Sequence, residues 1–185
     1  MLDLFDKIQE SVAFIQSKWS QTPKAGIILG TGLGSLVEKI EVAVSIDYAD
    51  IPNFPQSTAI SHKGQLVCGT LNGLPVIAME GRIHMYEGYP LKEITLPVRV
   101  MKALGADLLV CSNAVGGLNP YFSEGDIMLI EDQINLMGDN PLIGINDDRL
   151  GPRFPDMCEP YCHQLIDRAL RIARAQDIVA HQGVL

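Results

Sequence analysis

The chain is 185 residues long, 47% apolar and 6% aromatic, enough to bury the core of one ordinary domain and too short for two full ones. Its 22 acidic and 14 basic residues give a formal charge of −8, which excludes a broad nucleic-acid-binding face and confines any anion site to a local cluster. No apolar run reaches the length of a membrane span, the acids of MLDLFDKIQESVAF are wrong for a secretory leader, and Cys68, Cys111, Cys158 and Cys162 lack disulfide-like spacing, so a cytoplasmic protein with reduced thiols is expected.

In chain order, Leu4, Phe5, Ile8, Val12, Ile15 and Trp19 form a helical stripe, KAGIILG is a short apolar strand closed by glycine, and SLVEKI starts a helix. QLVCGTL and LPVIAME flank Asn72-Gly73, a strong hairpin signal. LKEITLPVRVMKALG follows as a helix interrupted by Pro97 and stopped by Gly105; ADLLVCSN and GDIMLIEDQINL are further strands, and YCHQLIDRALRIARAQD is an amphipathic helix. Strands alternating with helices predict an α/β protein around a mixed, largely parallel sheet, with 1–185 forming a single domain. Gly138 to Asp156 carries three prolines and three glycines without periodicity, as a surface excursion or a functional loop would. At the end, IVAHQGVL starts a new strand, which either closes the sheet or marks a fragment. Cys158, Cys162 and His163 are spaced to share a helix face, but with no second ligand pair they are expected to pack rather than hold a metal.

Ligands of open α/β sheets bind beyond the carboxyl ends of strands, and three turns there carry anion-binding chemistry. GTGLGS, Gly30 to Ser35, offers backbone amides and the Thr31 hydroxyl, although it fails the dinucleotide pattern because Ser35 stands where a third glycine belongs. EGRIHMYEGYP places Arg82 and His84 two residues apart, on one side of an extended chain, as a guanidinium and an imidazole for a small anion. The competing structural reading pairs Arg82 with Glu80 or Glu87 and treats His84 as a core residue. CSNAVGGLNP sets Asn113 and the Ala114 amide just past a strand, before a glycine-rich turn. His62, in SHKG before another apolar run, is a weaker candidate.

GTGLG, HKGQLVCGTLNG, EGRIHMYEGYP, LPVRVMKALGAD, SNAVGGLNP, GDIMLIEDQINL and GPRFPDM occur in the order found in homotrimeric purine nucleoside phosphorylases, which the chain resembles from about Lys24 onward. Methylthioadenosine phosphorylases look less similar in these segments. The resemblance implies a three-layer α/β sandwich around a mixed sheet with a distorted barrel. It implies reversible phosphorolysis of purine ribonucleosides and 2′-deoxyribonucleosides to free base and the sugar 1-phosphate, within nucleoside metabolism. By position, Thr31, His62, Arg82, Ile83, His84, Asn113 and the Ala114 amide would bind phosphate, with Arg82 and His84 catalytic. Tyr86 would contact the ribose, and Phe154 would reach into a neighbouring subunit's site of a homotrimer. Inorganic phosphate would be the co-substrate, with no metal or organic cofactor and neither nucleic acid nor membrane as partner.

Members of that family continue beyond the position of Leu185, and the residues that recognise and protonate the purine lie in that further part. The chain is thus expected to be a phosphorylase lacking its C-terminal part, the alternative being a non-catalytic phosphate-binding or assembly module.

Overall fold

Asp3 accepts the Asp6 amide at 2.8 Å and so caps α1 (Leu4–Lys18), whose Ile8, Val12 and Ile15 are buried on one face, as the stripe predicts. The computed structural model describes residues 3–30, 32–56 and 63–185, so the expectations at Thr31 and His62 lie outside the described residues. Its contacts divide the chain into two units, 1–114 and 115–185.

In the first unit β1 (Ala25–Leu29), β2 (Glu41–Asp47), β3 (Gln65–Leu71), β4 (Leu74–Glu80) and β5 (Leu108–Cys111) form a five-stranded sheet in the order β2-β3-β4-β1-β5. β1 runs parallel to β4 and β5, whereas β3 is antiparallel to both β2 and β4. The sheet is therefore mixed, as expected, but not largely parallel. The distorted barrel expected from the resemblance is not formed by the described strands, because β2 and β5 stand at opposite edges and do not pair. The hairpin forms where Asn72-Gly73 predicts it: both residues are left-handed, at φ 50° and 78°, which matches the twist of the adjoining strands. β2 was not anticipated, although Val42, Val44 and Ile46 alternate as a strand requires.

Strand alternation gives the sheet two apolar faces. On one, Ala25, Ile27, Leu29, Val67, Val76 and Ala78 cluster with Ile40, and Leu36 and Val37 of a 3-10 helix (Gly34–Lys39) pack onto them. SLVEKI thus starts a 3-10 helix rather than an α-helix. On the other face lies Gly26, where an added Cβ would come within 2.6 Å of the Met101 sulfur. The predicted helix is divided into α2 (Leu91–Ile94) and α3 (Leu96–Ala103), with Pro97 in the first turn of α3, where a missing amide costs nothing. Cys68, inside β3, is buried, and burial pushes its thiol up to about 12.

The second unit is built on β6 (Ile127–Asp132) and β7 (Ala180–Val184), a parallel pair, with α4 (His163–Ala175) between them in sequence. IVAHQGVL therefore does pair as a strand, with β6. The segment 138–156 contains no helix or strand, yet its own side chains order it: Arg153 donates to the Leu142 and Gly144 carbonyls at 2.8 and 2.7 Å, and Arg149 pairs with Asp147 at 2.6 Å. Cys158 and Cys162 are exposed rather than packed, because the turns before α4 place them on the surface. Among the described residues no three His, Cys, Asp or Glu side chains gather as a metal would need, and no helix is long and apolar enough to cross a membrane. His181 of β7 lies 2.9 Å from the Asp126 carboxylate and stacks on Phe122 at 4.4 Å.

Two outcomes are expected. Gly69 of β3 faces the backbone of Glu41 so closely that a methyl group cannot enter, at the point where β2 shifts register. Gly69→Ala should cost about 1–3 kcal/mol in urea unfolding. The Asp126 carboxyl is held below its ordinary 3.8 by the Ser123 amide first and the His181 ring second. A carboxyl depressed on folding stabilises above its unfolded value and loses that contribution as pH falls through its folded one. Amide exchange of β6 and β7 should therefore quicken below about pH 4, and Asp126→Asn should flatten that dependence.

Candidate active site

Parallel strands deliver their carboxyl ends to one edge of a sheet, so β1, β4 and β5 bring the turns after Leu29, Glu80 and Cys111 together. Ser112 joins them. Its amide donates to the Ile28 carbonyl at 3.1 Å, its hydroxyl oxygen accepts the Gly30 amide at 2.9 Å, and its carbonyl accepts Arg82 Nη1 at 3.2 Å. The approach is close enough that a Cβ on Gly30 would fall 2.5 Å from the Ser112 carbonyl oxygen, so only glycine fits there.

Arg82 Nε donates to His84 Nε2 at 3.1 Å. His84 Nδ1 in turn lies 3.3 Å from Glu87 Oε1, and the same oxygen accepts the His84 amide at 2.7 Å. A ring whose Nε2 accepts from a guanidinium carries its proton on Nδ1, where Glu87 receives it. The hydrogen-bond network assigns that tautomer. The Glu87 side chain is only 2% exposed and that of His84 19%, so both sit in poorly hydrated surroundings where such bonds are strong.

A second set of contacts fixes the strand end itself. Gly81 is left-handed at φ 102°, turning the chain between Glu80 and Arg82, and the Tyr48 hydroxyl donates to its carbonyl at 2.7 Å. Burial, and then the Glu80 charge, push the Tyr48 phenol far above its ordinary value, so it remains a donor. Glu80 is itself buried, and Lys63 Nζ meets its carboxylate at 2.8 Å. Gly30, Gly32, Gly34, Lys63, Glu80 and Gly81 line part of a cavity of about 490 Å³ at this strand end. A larger hollow of about 610 Å³ beside residues 159–164 belongs to the second unit and touches none of these groups.

Of the expected residues, Arg82 and His84 are thus in direct contact, and Asn113 and Ala114 are exposed immediately after Ser112, which holds Arg82. Ile83 is 5% exposed and faces the core, which leaves only its backbone for a ligand. Tyr86 is exposed and its ring stacks on His84 at 4.9 Å. Phe154 is exposed in the second unit, with the Arg153 guanidinium 5.8 Å from its ring. Three contributors were not given these roles from the sequence. Ser112 stands directly after an apolar run, the position that singled out its neighbours. Glu87 entered only as a rival partner for Arg82, and Lys63 adjoins a histidine that drew the eye.

Residues 24–185 match the family model described as the phosphorylase superfamily. Purine nucleoside phosphorylase 1 of Bacillus subtilis is 51% identical over 97% of this chain, and purine nucleoside phosphorylase of Bos taurus is 48% identical over 89%. The chain spans 66% of the length of the former and 58% of the latter. A crystal structure of isoform 2 of the Schistosoma mansoni purine nucleoside phosphorylase, in complex with cytosine and ribose-1-phosphate, superposes with a TM-score of 0.92 at 43% identity, covering 97% of this chain and 65% of that one. Another, of a purine nucleoside phosphorylase in complex with ribose-1-phosphate, gives 0.93 at 39% identity, over 100% of this chain and 70% of that one.

Glu87→Ala should leave the His84 amide without its acceptor and release the ring. The expected cost is about 1–3 kcal/mol in chemical unfolding. Nitrogen NMR of His84 should show the proton on Nδ1 in the unaltered chain and a mixture of tautomers in the variant.

Proposed function

The chain belongs to the phosphorylase superfamily, and from that membership we propose that its protein carries out reversible phosphorolysis of purine nucleosides. The observation that carries this reading is the Arg82–His84 pair, held on Ser112 where three parallel strands end. In the proposed reaction phosphate is the co-substrate. One of its oxygens bonds to the anomeric carbon as the bond from that carbon to the purine nitrogen breaks; the electron pair leaves with the purine, which takes up a proton. Positive charge gathers on the sugar as the bond stretches, and an anion fixed beside it stabilises that charge.

Arg82 supplies a planar fork of donors suited to phosphate oxygens and keeps its charge at any working pH. His84 gives up its bond from Arg82 and, by taking a proton on Nε2, becomes a donor to the anion. The backbone of Ile83, Asn113 and the amide of Ala114 complete the cradle, with Thr31 and His62 as its remaining members. Tyr86 contacts the ribose, and Phe154 serves the site of an adjoining subunit in a homotrimer. The cytoplasm is the proposed compartment.

Phosphate-dependent cleavage of inosine, followed as release of hypoxanthine, tests the reaction. Phosphate binding without cleavage would select the non-catalytic module instead. Arg82→Ala removes charge-assisted hydrogen bonds worth about 1.5–3 kcal/mol, so phosphate affinity measured by calorimetry should fall roughly 10- to 100-fold. Unchanged affinity would refute the assignment.

A further inference from the structure

A buried acid beside the Gly30 turn is unexpected for its place. Glu80 ends β4 with a residue exposure of 7%, and its carboxylate lies in the lining of the cavity that also exposes the glycines at 30 and 81. The Gly30 amide donates to the hydroxyl of Ser112, the residue whose carbonyl anchors Arg82, so the acid borders the anion site and would repel a dianion entering it. Lys63, just before β3, crosses to it: the Gly64 amide donates to the Glu80 carbonyl at 3.1 Å, and the ammonium then meets the carboxylate at 2.8 Å. The Lys63 side chain is 70% exposed and that of Glu80 9%, so the charge is brought from solvent to a fixed buried partner. The Lys63 ammonium is held above the ordinary lysine range, first by its hydrogen bond to Glu80 and then by that group's charge, with Glu38 of the same cavity adding to it.

We propose that Lys63 and Glu80 are a positioning pair that sets phosphate affinity, the lysine cancelling a carboxylate that otherwise opposes the anion. This rests on the phosphate reading above. Neither residue touches the reacting atoms. Their effect is on the potential of the cavity, and it has a signature that a fold-holding ion pair lacks: removing the cation and removing the anion push phosphate binding in opposite directions.

Calorimetric titration of the full chain with inorganic phosphate tests this. Lys63→Met should weaken binding about fivefold and Glu80→Gln should strengthen it by a similar factor, the scale of one partly screened charge near a site. The double variant should return to the affinity of the unaltered chain, because two shifts of similar size and opposite sign cancel when they add. Lys63→Arg should retain that affinity. Shifts of the same sign in both single variants, or no shift in either, overturn the proposal. Arg82→Ala measured alongside separates the two readings: if it weakens binding roughly 10- to 100-fold while the Lys63 and Glu80 variants are inert, only the pair is refuted. Affinity unchanged by Arg82→Ala, or no binding by the unaltered chain, refutes the phosphate reading and the pair with it. Should Glu80→Gln fail to fold, Lys63→Met against Lys63→Arg decides the matter, since loss in the first and retention in the second is the expected outcome and equal values are not.

Discussion

Ser112 is the point on which the site depends. A single residue accepts the amide that begins the Gly30 turn, donates to the carbonyl of Ile28, and receives the guanidinium of Arg82 on its own carbonyl. Three turns from three strands are thereby tied through one backbone unit and one hydroxyl. None of these contacts exceeds a modest hydrogen bond in strength. Their importance is geometric, because a donor set for an oxyanion contributes only if its members are already in place when the anion arrives.

The arrangement also gives each acid beside Arg82 a second partner. Glu80 and Glu87 flank Arg82 in the sequence. The chain turns at Gly81, Lys63 meets Glu80, and Glu87 folds back on the backbone and ring of His84. The second acid thus acts on the imidazole. It sets which nitrogen carries the proton, and by that route makes Nε2 the atom that faces the guanidinium.

Much of this was legible in the residues. Asn72-Gly73 fixed the hairpin, the Ile8–Val12–Ile15 stripe fixed the first helix, and the rule that ligands lie past strand ends led to Arg82, His84 and Asn113 without any coordinates. What escaped notice depends on long-range placement. β2 is mostly exposed, with only Ile46 buried, so its pattern is weak until β3 pairs with it. Lys63 and Ser112 have no local signature, since each acquires its role from a group 17 or 82 residues distant in sequence. The expected barrel came from the resemblance, and the described strands instead stop at an open edge on either side.

The hairpin has a further use. β4 runs from Leu74 to Glu80, which puts the Asn72-Gly73 turn at the opposite end of the strand from Arg82, a distance of about 20 Å at strand spacing. Among the described residues nothing stands within 4 Å of where a Gly73 side chain would begin, and Leu74 is 46% exposed. The polypeptide can be lengthened at this tip, or a fluorophore or affinity handle grafted there, without crowding the groups that gather around Ser112.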